Sequence, residues 1–249
     1  MYKQYNIKIN RSNQEASCYN AYIMSVRSIL PDITVFAGPM ASGKTKALYS
    51  LIGEFQATHH PFAVYKPSLD IRQDGIRPRG VSDGDAYKCR AIDSLADIKV
   101  ASLVHRGIRT VLLEEFHMFG YDHNRKPRIN IFLPTMKAWG AAGINLVYAA
   151  GLDLAASGNQ FSIFTDAHSY GSNIELFSAK CEYPLSDNGP TCRKEAHNSQ
   201  IYSRSLGKAY RMGSLPDLLP EGGDPDCSYR AVCTEHLLLP SEQTINFKI

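Results

Sequence analysis

No stretch of this sequence approaches the roughly 20 apolar residues that span a bilayer, so no membrane-spanning helix and no membrane partner are expected. Residues 1–30 are broken up by Lys3, Lys8, Arg11, Asn13 and Glu15 and lack the continuous apolar segment of a secretory signal, which makes the cytoplasm the expected setting. A dominant charge sign is missing too. The 27 basic and 24 acidic side chains leave a net +3 spread along the chain, too weak to imply a nucleic-acid partner, although it suits a small phosphorylated ligand. Internal repeats are absent. Six cysteines without a signal segment read as metal ligands or core thiols rather than a disulfide framework.

What is present is enough apolar content, 44% of 249 residues, for one sizeable core or for an α/β domain with a smaller satellite. Ile33–Ala37 is a short apolar run, and Lys46–Gln56 places Leu48, Leu51, Ile52 and Phe55 on one helical face. The pattern predicts further strands at Phe62–Lys66, Arg109–Glu114 and Ile144–Ala150. Helices are predicted at Ile92–His105 and Asn130–Ala142. Such alternation implies a parallel sheet with helices on its faces. After about Ser178 the chain turns rich in Cys, Gly, Pro and Ser, with little periodicity, and needs another means of holding its shape, such as a structural metal. The expected division is an extension at 1–30, a nucleotide-binding domain at 31–178, a metal-held domain at 179–239 and a tail at 240–249.

Gly38-Pro39-Met40-Ala41-Ser42-Gly43-Lys44-Thr45 fits G-x-x-x-x-G-K-[ST] between an apolar strand and an amphipathic helix. In such a loop backbone N–H groups turn inward around phosphate oxygens, and the helix aims its positive end at the same anion. Gly38, Ser42, Gly43 and Lys44 therefore form a candidate ATP cradle. Lys44 would reach the β and γ phosphates, and Thr45 would offer its hydroxyl to Mg²⁺.

Such a site also needs an acid at the end of a nearby strand, and Glu114-Glu115 supplies two in succession. Side chains alternate along a strand, so the two can divide the work: Glu114 near Mg²⁺, Glu115 facing an acceptor hydroxyl as general base. Asp70 and Arg72, after the preceding strand, are candidates for the metal's water shell and for phosphate. Cys181, Cys192, Cys233 and His236 suggest a structural zinc site, with Cys233-Thr234-Glu235-His236 carrying a knuckle-like gap. Ten residues separate Cys181 from Cys192, so either a loop is inserted there or Cys227 replaces one of them.

These signals, in this order, resemble the thymidine kinases that carry a P-loop domain and a zinc-bound lasso. Val35 to Thr45 resembles their opening motif, and Lys66-Pro67-Ser68-Leu69-Asp70-Ile71-Arg72 resembles their K-P-x-x-D-x-R. Leu113-Glu114-Glu115-Phe116-His117-Met118-Phe119 is similar to I-D-E-x-Q-F-F, and Ala150-Gly151-Leu152-Asp153 to the end of a family strand. Ile174 to Cys181 is similar to the run before the first zinc cysteine, and Gly222, Gly223, Tyr229 and Cys233 to the lasso. The resemblance covers about residues 33–236. It implies an α/β fold, a P-loop (RecA-like) parallel sheet flanked by helices, with a small zinc-stabilised lasso domain. The implied reaction passes the γ-phosphoryl of ATP to the 5′ hydroxyl of a deoxynucleoside, with Glu115 as base. The resemblance also implies a tetramer, and places Met40, Met118, Leu152, Ala156, Phe161, Ser203, Gly223 and Tyr229 around the nucleoside.

The departures are informative. The family's aspartate is Glu114 and its glutamine is His117, while Ala41, Met118 and Ala156 stand where phenylalanine is usual. The expected acceptor is thymidine or a related, 5-modified pyrimidine deoxynucleoside: an aromatic face holds a base by roughly 1–3 kcal/mol, so the missing rings imply a wider, softer pocket for a bulkier or modified pyrimidine, unless other side chains refill the volume. Two other classes use the same motifs. A RecA-like ATPase acting on nucleic acid calls for a basic stripe. A non-catalytic zinc-binding module with a relic P-loop would turn over no ATP with any nucleoside.

Overall fold

The structure, a computed structural model, describes residues 30–71, 75–78, 80, 82, 86–186, 189–213 and 226–239. The expected extension (apart from residue 30), the tail, Arg72 and Gly223 lie outside the described residues.

Six strands form one parallel sheet: β1 (Asp32–Ala37), β2 (Phe62–Pro67), β3 (Arg90–Ile92), β4 (Thr110–Leu113), β5 (Leu146–Gly151) and β6 (Asn173–Leu176). Their order is β3-β2-β4-β5-β1-β6. All four β4 residues are buried, as a strand covered on both faces requires. Alternation divides the apolar residues between two layers. Val35, Val111 and Leu113 face a core that holds Phe116, Phe132, Met136, Trp139 and Phe164. Phe36 and Leu112 face the other way, onto Leu48 and Ile52 of helix α1 (Lys44–Ala57). Phe116 packs edge-on against Phe132 and Phe164, with ring centroids 5.7 and 5.4 Å apart. The first layer also holds α2 (Val100–His105), α3 (Phe132–Ala142) and α4 (Ser162–Tyr170). No helix among the described residues is long and apolar enough to cross a membrane.

Register decides where a site can form. Ala37 pairs with Gly151 at the ends of β1 and β5, and Leu113 pairs with Ala149 beside them. The chain leaving β1, β4 and β5 therefore emerges at one edge, where open α/β sheets bind ligands.

The helix expected over Ile92–His105 is broken. Ile92 ends β3, a short 3-10 turn follows at Leu95–Asp97, and only Val100–His105 is α-helical. The Ser94 Oγ accepts from the Ala96 N–H, and the Asp97 carboxylate accepts from the Ser94 N–H, so a capping box starts a fresh turn that extended Ile98 then ends.

After Ser178 there is more regular structure than the sequence suggests. Strands β7 (Ala179–Lys180) and β8 (Glu195–Ala196) form a hairpin. β9 (Asn198–Ser203), β10 (Lys208–Ala209) and β11 (Cys227–Val232) form an antiparallel sheet in the order β10-β9-β11. Four of the six β9 residues are buried, and three of those are polar: Ser199, Gln200 and Ser203. Gln200 bridges three chain segments, donating to the Tyr210 and Leu238 carbonyls and accepting from the Leu238 N–H. A buried strand stitched by polar groups shows no apolar period, which is why composition hid it.

Candidate active site

The cradle follows β1 directly. Gly38 has φ 145°, and a Cβ there would lie 2.3 Å from the Phe177 carbonyl oxygen, so only glycine fits. Gly43, at φ 95°, turns the chain into α1. The Lys44 ammonium folds over the loop, donating to the Pro39 carbonyl at 2.6 Å and to the Ser42 Oγ at 3.2 Å. The Thr45 Oγ1 donates to Glu114 Oε1 at 2.6 Å, joining residues 69 positions apart. These hard oxygens at the mouth of the cradle are of the type that Mg²⁺ accepts.

Glu114 is buried at the end of β4. Glu115 next to it adopts the left-handed conformation, φ 47° and ψ 46°. Non-glycine residues seldom hold that conformation, and it breaks the strand's alternation. As a result both carboxylates border one cleft.

That cleft, about 440 Å³, is walled by 40–46, Arg77, Pro78, the two glutamates and 150–152. A second, nearly filled space of about 10 Å³ is lined by Met40, Glu115, His117, Leu152, Leu154, Ala155, Ala156, Phe161, Ser199 and Tyr229. Met40, Glu115 and Leu152 border both. The Met40 N–H donates to the Ser199 Oγ at 2.8 Å, which ties the cradle to β9. Beyond Leu152, burial raises the Asp153 carboxyl above its ordinary range, an effect that hydrogen bonds from the Asp153 and Leu154 N–H groups, and then the Lys44 charge, partly offset.

In the region after Ser178, the ligand-type atoms of Cys181, Cys192, Cys233 and His236 all lie within 4.8 Å of one another. His236 Nδ1 lies 3.6 Å from the Cys181 Sγ and 3.4 Å from the Cys233 Sγ, and the Cys192 and Cys233 sulfurs are 4.0 Å apart. A tetrahedral ion with bonds of about 2.3 Å to sulfur gives ligand separations of about 3.7 Å, so the set fits. The inserted loop is the β7-β8 hairpin. Within it the Cys181 N–H donates to the Lys194 carbonyl and the Cys192 N–H to the Tyr183 carbonyl. Cys227 is not one of the four, and pairs in register with Ser203. Tyr183 stacks on the His236 ring, with centroids 4.1 Å apart at 5°. Burial pushes the Cys181 thiol up, a cost that a bound cation would reverse.

A family model for thymidine kinase matches residues 31–207. A thymidine kinase of Pyrobaculum aerophilum is 24% identical over 209 residues, spanning 84% of this chain and 99% of that protein. The chain belongs to the thymidine kinase family. It is a phosphotransferase, and the ATPase and bare zinc-module alternatives give way to that finding.

In this family member the residues singled out in the sequence separate into two groups. Met40, Leu152, Ala156, Phe161 and Tyr229 line the smaller space. Met118 and Ser203 do not. Met118 is 1% exposed in the main core. The Ser203 Oγ donates to Asp226 Oδ2 at 2.5 Å and accepts from the Leu206 N–H, closing a turn instead. Ser199, four residues earlier, is the β9 hydroxyl that reaches the space. Alternation puts Ser199 and Ser203 on the same face of β9, so it does not distinguish them, and that strand is not evident from the sequence. Asp70 is buried in an ion pair with Lys66 at 3.4 Å and borders neither cleft. Arg77, which no motif marks, does border the larger one.

The three positions where rings are missing do not share one pocket: Ala41 lines the larger cleft alone, Met118 is buried in the core, and Ala156 lines the smaller space.

Proposed function

We propose that this chain is a deoxynucleoside kinase that transfers the γ-phosphoryl of ATP to the 5′ hydroxyl of thymidine or a closely related pyrimidine deoxynucleoside. Family membership supports the reaction class. The observation that carries the assignment is that two clefts, one floored by the phosphate cradle, share Glu115 as a common wall.

In this reading the larger cleft takes ATP. Backbone N–H groups of 40–45 and the start of α1 hold its phosphates, and Lys44 leaves Pro39 and Ser42 to bridge the β and γ oxygens. Thr45 and Glu114 would hold Mg²⁺, which when bound neutralises charge developing on the transferring phosphoryl. The nucleoside would take the smaller space, which must widen to admit it, with its base against Met40, Leu152, Phe161 and Tyr229 and beside Ser199. Glu115 takes the proton of the 5′ hydroxyl as that oxygen attacks the γ phosphorus and the bond to the ADP oxygen breaks. Cys181, Cys192, Cys233 and His236 would hold Zn²⁺ in a closed, structural site, since four protein ligands leave no open position. The tetramer common in the family is carried into this reading, with light scattering as its test.

The assigning experiment is a nucleoside panel with ATP and Mg²⁺, spanning thymidine, 5-substituted pyrimidine deoxynucleosides and purines. The expected products are the 5′-monophosphates of thymidine and its near relatives. ATP turnover with no phosphorylated nucleoside would overturn the assignment. Turnover confined to bulkier 5-substituted pyrimidines would support the wide-pocket reading.

A further inference from the structure

His117 stands where the family resemblance has glutamine, and it is 1% exposed between the two clefts. Its ring packs against Phe161, with centroids 4.8 Å apart, and borders the smaller space. A Cβ on Gly151 would meet the His117 N at 3.0 Å and its Nδ1 at 3.2 Å, so the ring's close approach to β5 requires glycine there. The Leu152 N–H donates to His117 Nδ1 at 3.2 Å. In the neutral ring this puts the proton on Nε2 and leaves Nδ1 an acceptor. The same Nδ1 lies 3.5 Å from Glu115 Oε2, outside hydrogen-bond reach.

The geometry points to His117 as a positioning residue for Glu115 that acts on the proton as it is transferred. This rests on the reading of Glu115 as the base. Before transfer, with the ring neutral, the carboxylate and Nδ1 present lone pairs to each other at 3.5 Å and share no proton. As the 5′ O–H bond breaks and the O–P bond forms, Glu115 becomes a carboxylic acid with a donor. Nδ1 is then the nearby acceptor, displacing the long bond from the Leu152 N–H. The interaction exists only once the proton has moved, so it lowers the barrier without tightening ground-state binding. A glutamine at 117 can serve the same end through its amide oxygen.

The test compares His117→Leu, which keeps an apolar body against Phe161, with His117→Gln and Glu115→Gln, measuring kcat, acceptor KM and ATP binding. His117→Leu is expected to lower kcat about 10- to 100-fold with acceptor KM and ATP affinity nearly unchanged, and His117→Gln to recover most of the loss. Leucine and glutamine variants with equal kcat, or a leucine variant altered only in KM, would overturn the proposal. Should the leucine variant not bind ATP, the glutamine variant decides: a kcat as low as that of Glu115→Gln would contradict it. Glu115→Gln retaining turnover would instead sink the base assignment itself.

Discussion

The parallel sheet and the cysteine-bearing segment reach a fixed shape by different means. In the sheet, large apolar residues such as Phe116, Phe119, Phe132 and Phe164 are wholly buried in layers set by strand and helix periodicity. Beyond Ser178 the buried cluster is Ala179, Cys181, Ala196, Ala231, Val232 and Cys233, all small. So little apolar volume cannot offset the entropy of ordering the chain, and polar stitching plus a four-ligand site must do so. The difference teaches that the cradle rests on a large apolar core, while in the proposed reading the wall holding Ser199 and Tyr229 depends on the four-ligand site acting as a clamp.

Removing the clamp is the strongest way to break the comparison. Structural zinc contributes about 10–16 kcal/mol in isolated zinc-finger peptides, so chelation or Cys233→Ser should abolish order throughout β7 to β11. Nucleoside binding should be lost while ATP binding persists, read by hydrogen exchange and by calorimetry with each ligand. Simultaneous loss of ATP binding would mean that the clamp supports the whole fold.

The opposite break is Phe116→Ala, which leaves a cavity between Phe132 and Phe164. It should cost about 3–5 kcal/mol and lower the melting temperature of the whole chain, with the metal content of purified protein unchanged. A melting shift confined to the cysteine segment would contradict the division.

The smallest effect sharpens the polar side of the contrast. The Ser203 hydroxyl, followed by the Ser205 N–H, holds the Asp226 carboxyl below its usual range. A depressed carboxyl contributes stability that is complete above the unfolded value near about pH 4 and lost as pH falls through the folded value. Protection of the Ser205 and Leu206 amides against hydrogen exchange, taken relative to the intrinsic rate at each pH, should therefore fall below about pH 4 in the parent, and already be low at neutral pH in Ser203→Ala. Protection insensitive to both changes would remove Asp226 from the account.

The same contrast explains what could be read without coordinates. β1, the cradle and α1 were legible because apolar spacing and obligatory glycines leave a direct trace. The meeting of Thr45 with Glu114 followed from what the motif requires of a neighbouring strand. The four metal-type ligands were legible from residue type, though only the hairpin between Cys181 and Cys192 explains their spacing and sets Cys227 aside. β9 was not legible, because its buried positions carry Ser199, Gln200 and Ser203. The resemblance points to Ser203, while Ser199 is the β9 hydroxyl that lines the smaller space. Ala41 was misplaced for a different reason: at φ 59° the loop reverses, so its neighbour Met40 reaches the smaller space and Ala41 does not.

The central claim is that the two clefts are donor and acceptor sites meeting at Glu115. Its most direct test is Glu115→Gln, assayed for ATP affinity and for nucleoside phosphorylation. The account predicts a fall in kcat of about 10²- to 10⁴-fold with ATP affinity nearly unchanged, since only proton acceptance is removed. Loss of ATP binding would place Glu115 with the metal and phosphates instead, and an unchanged kcat would separate it from the reaction altogether.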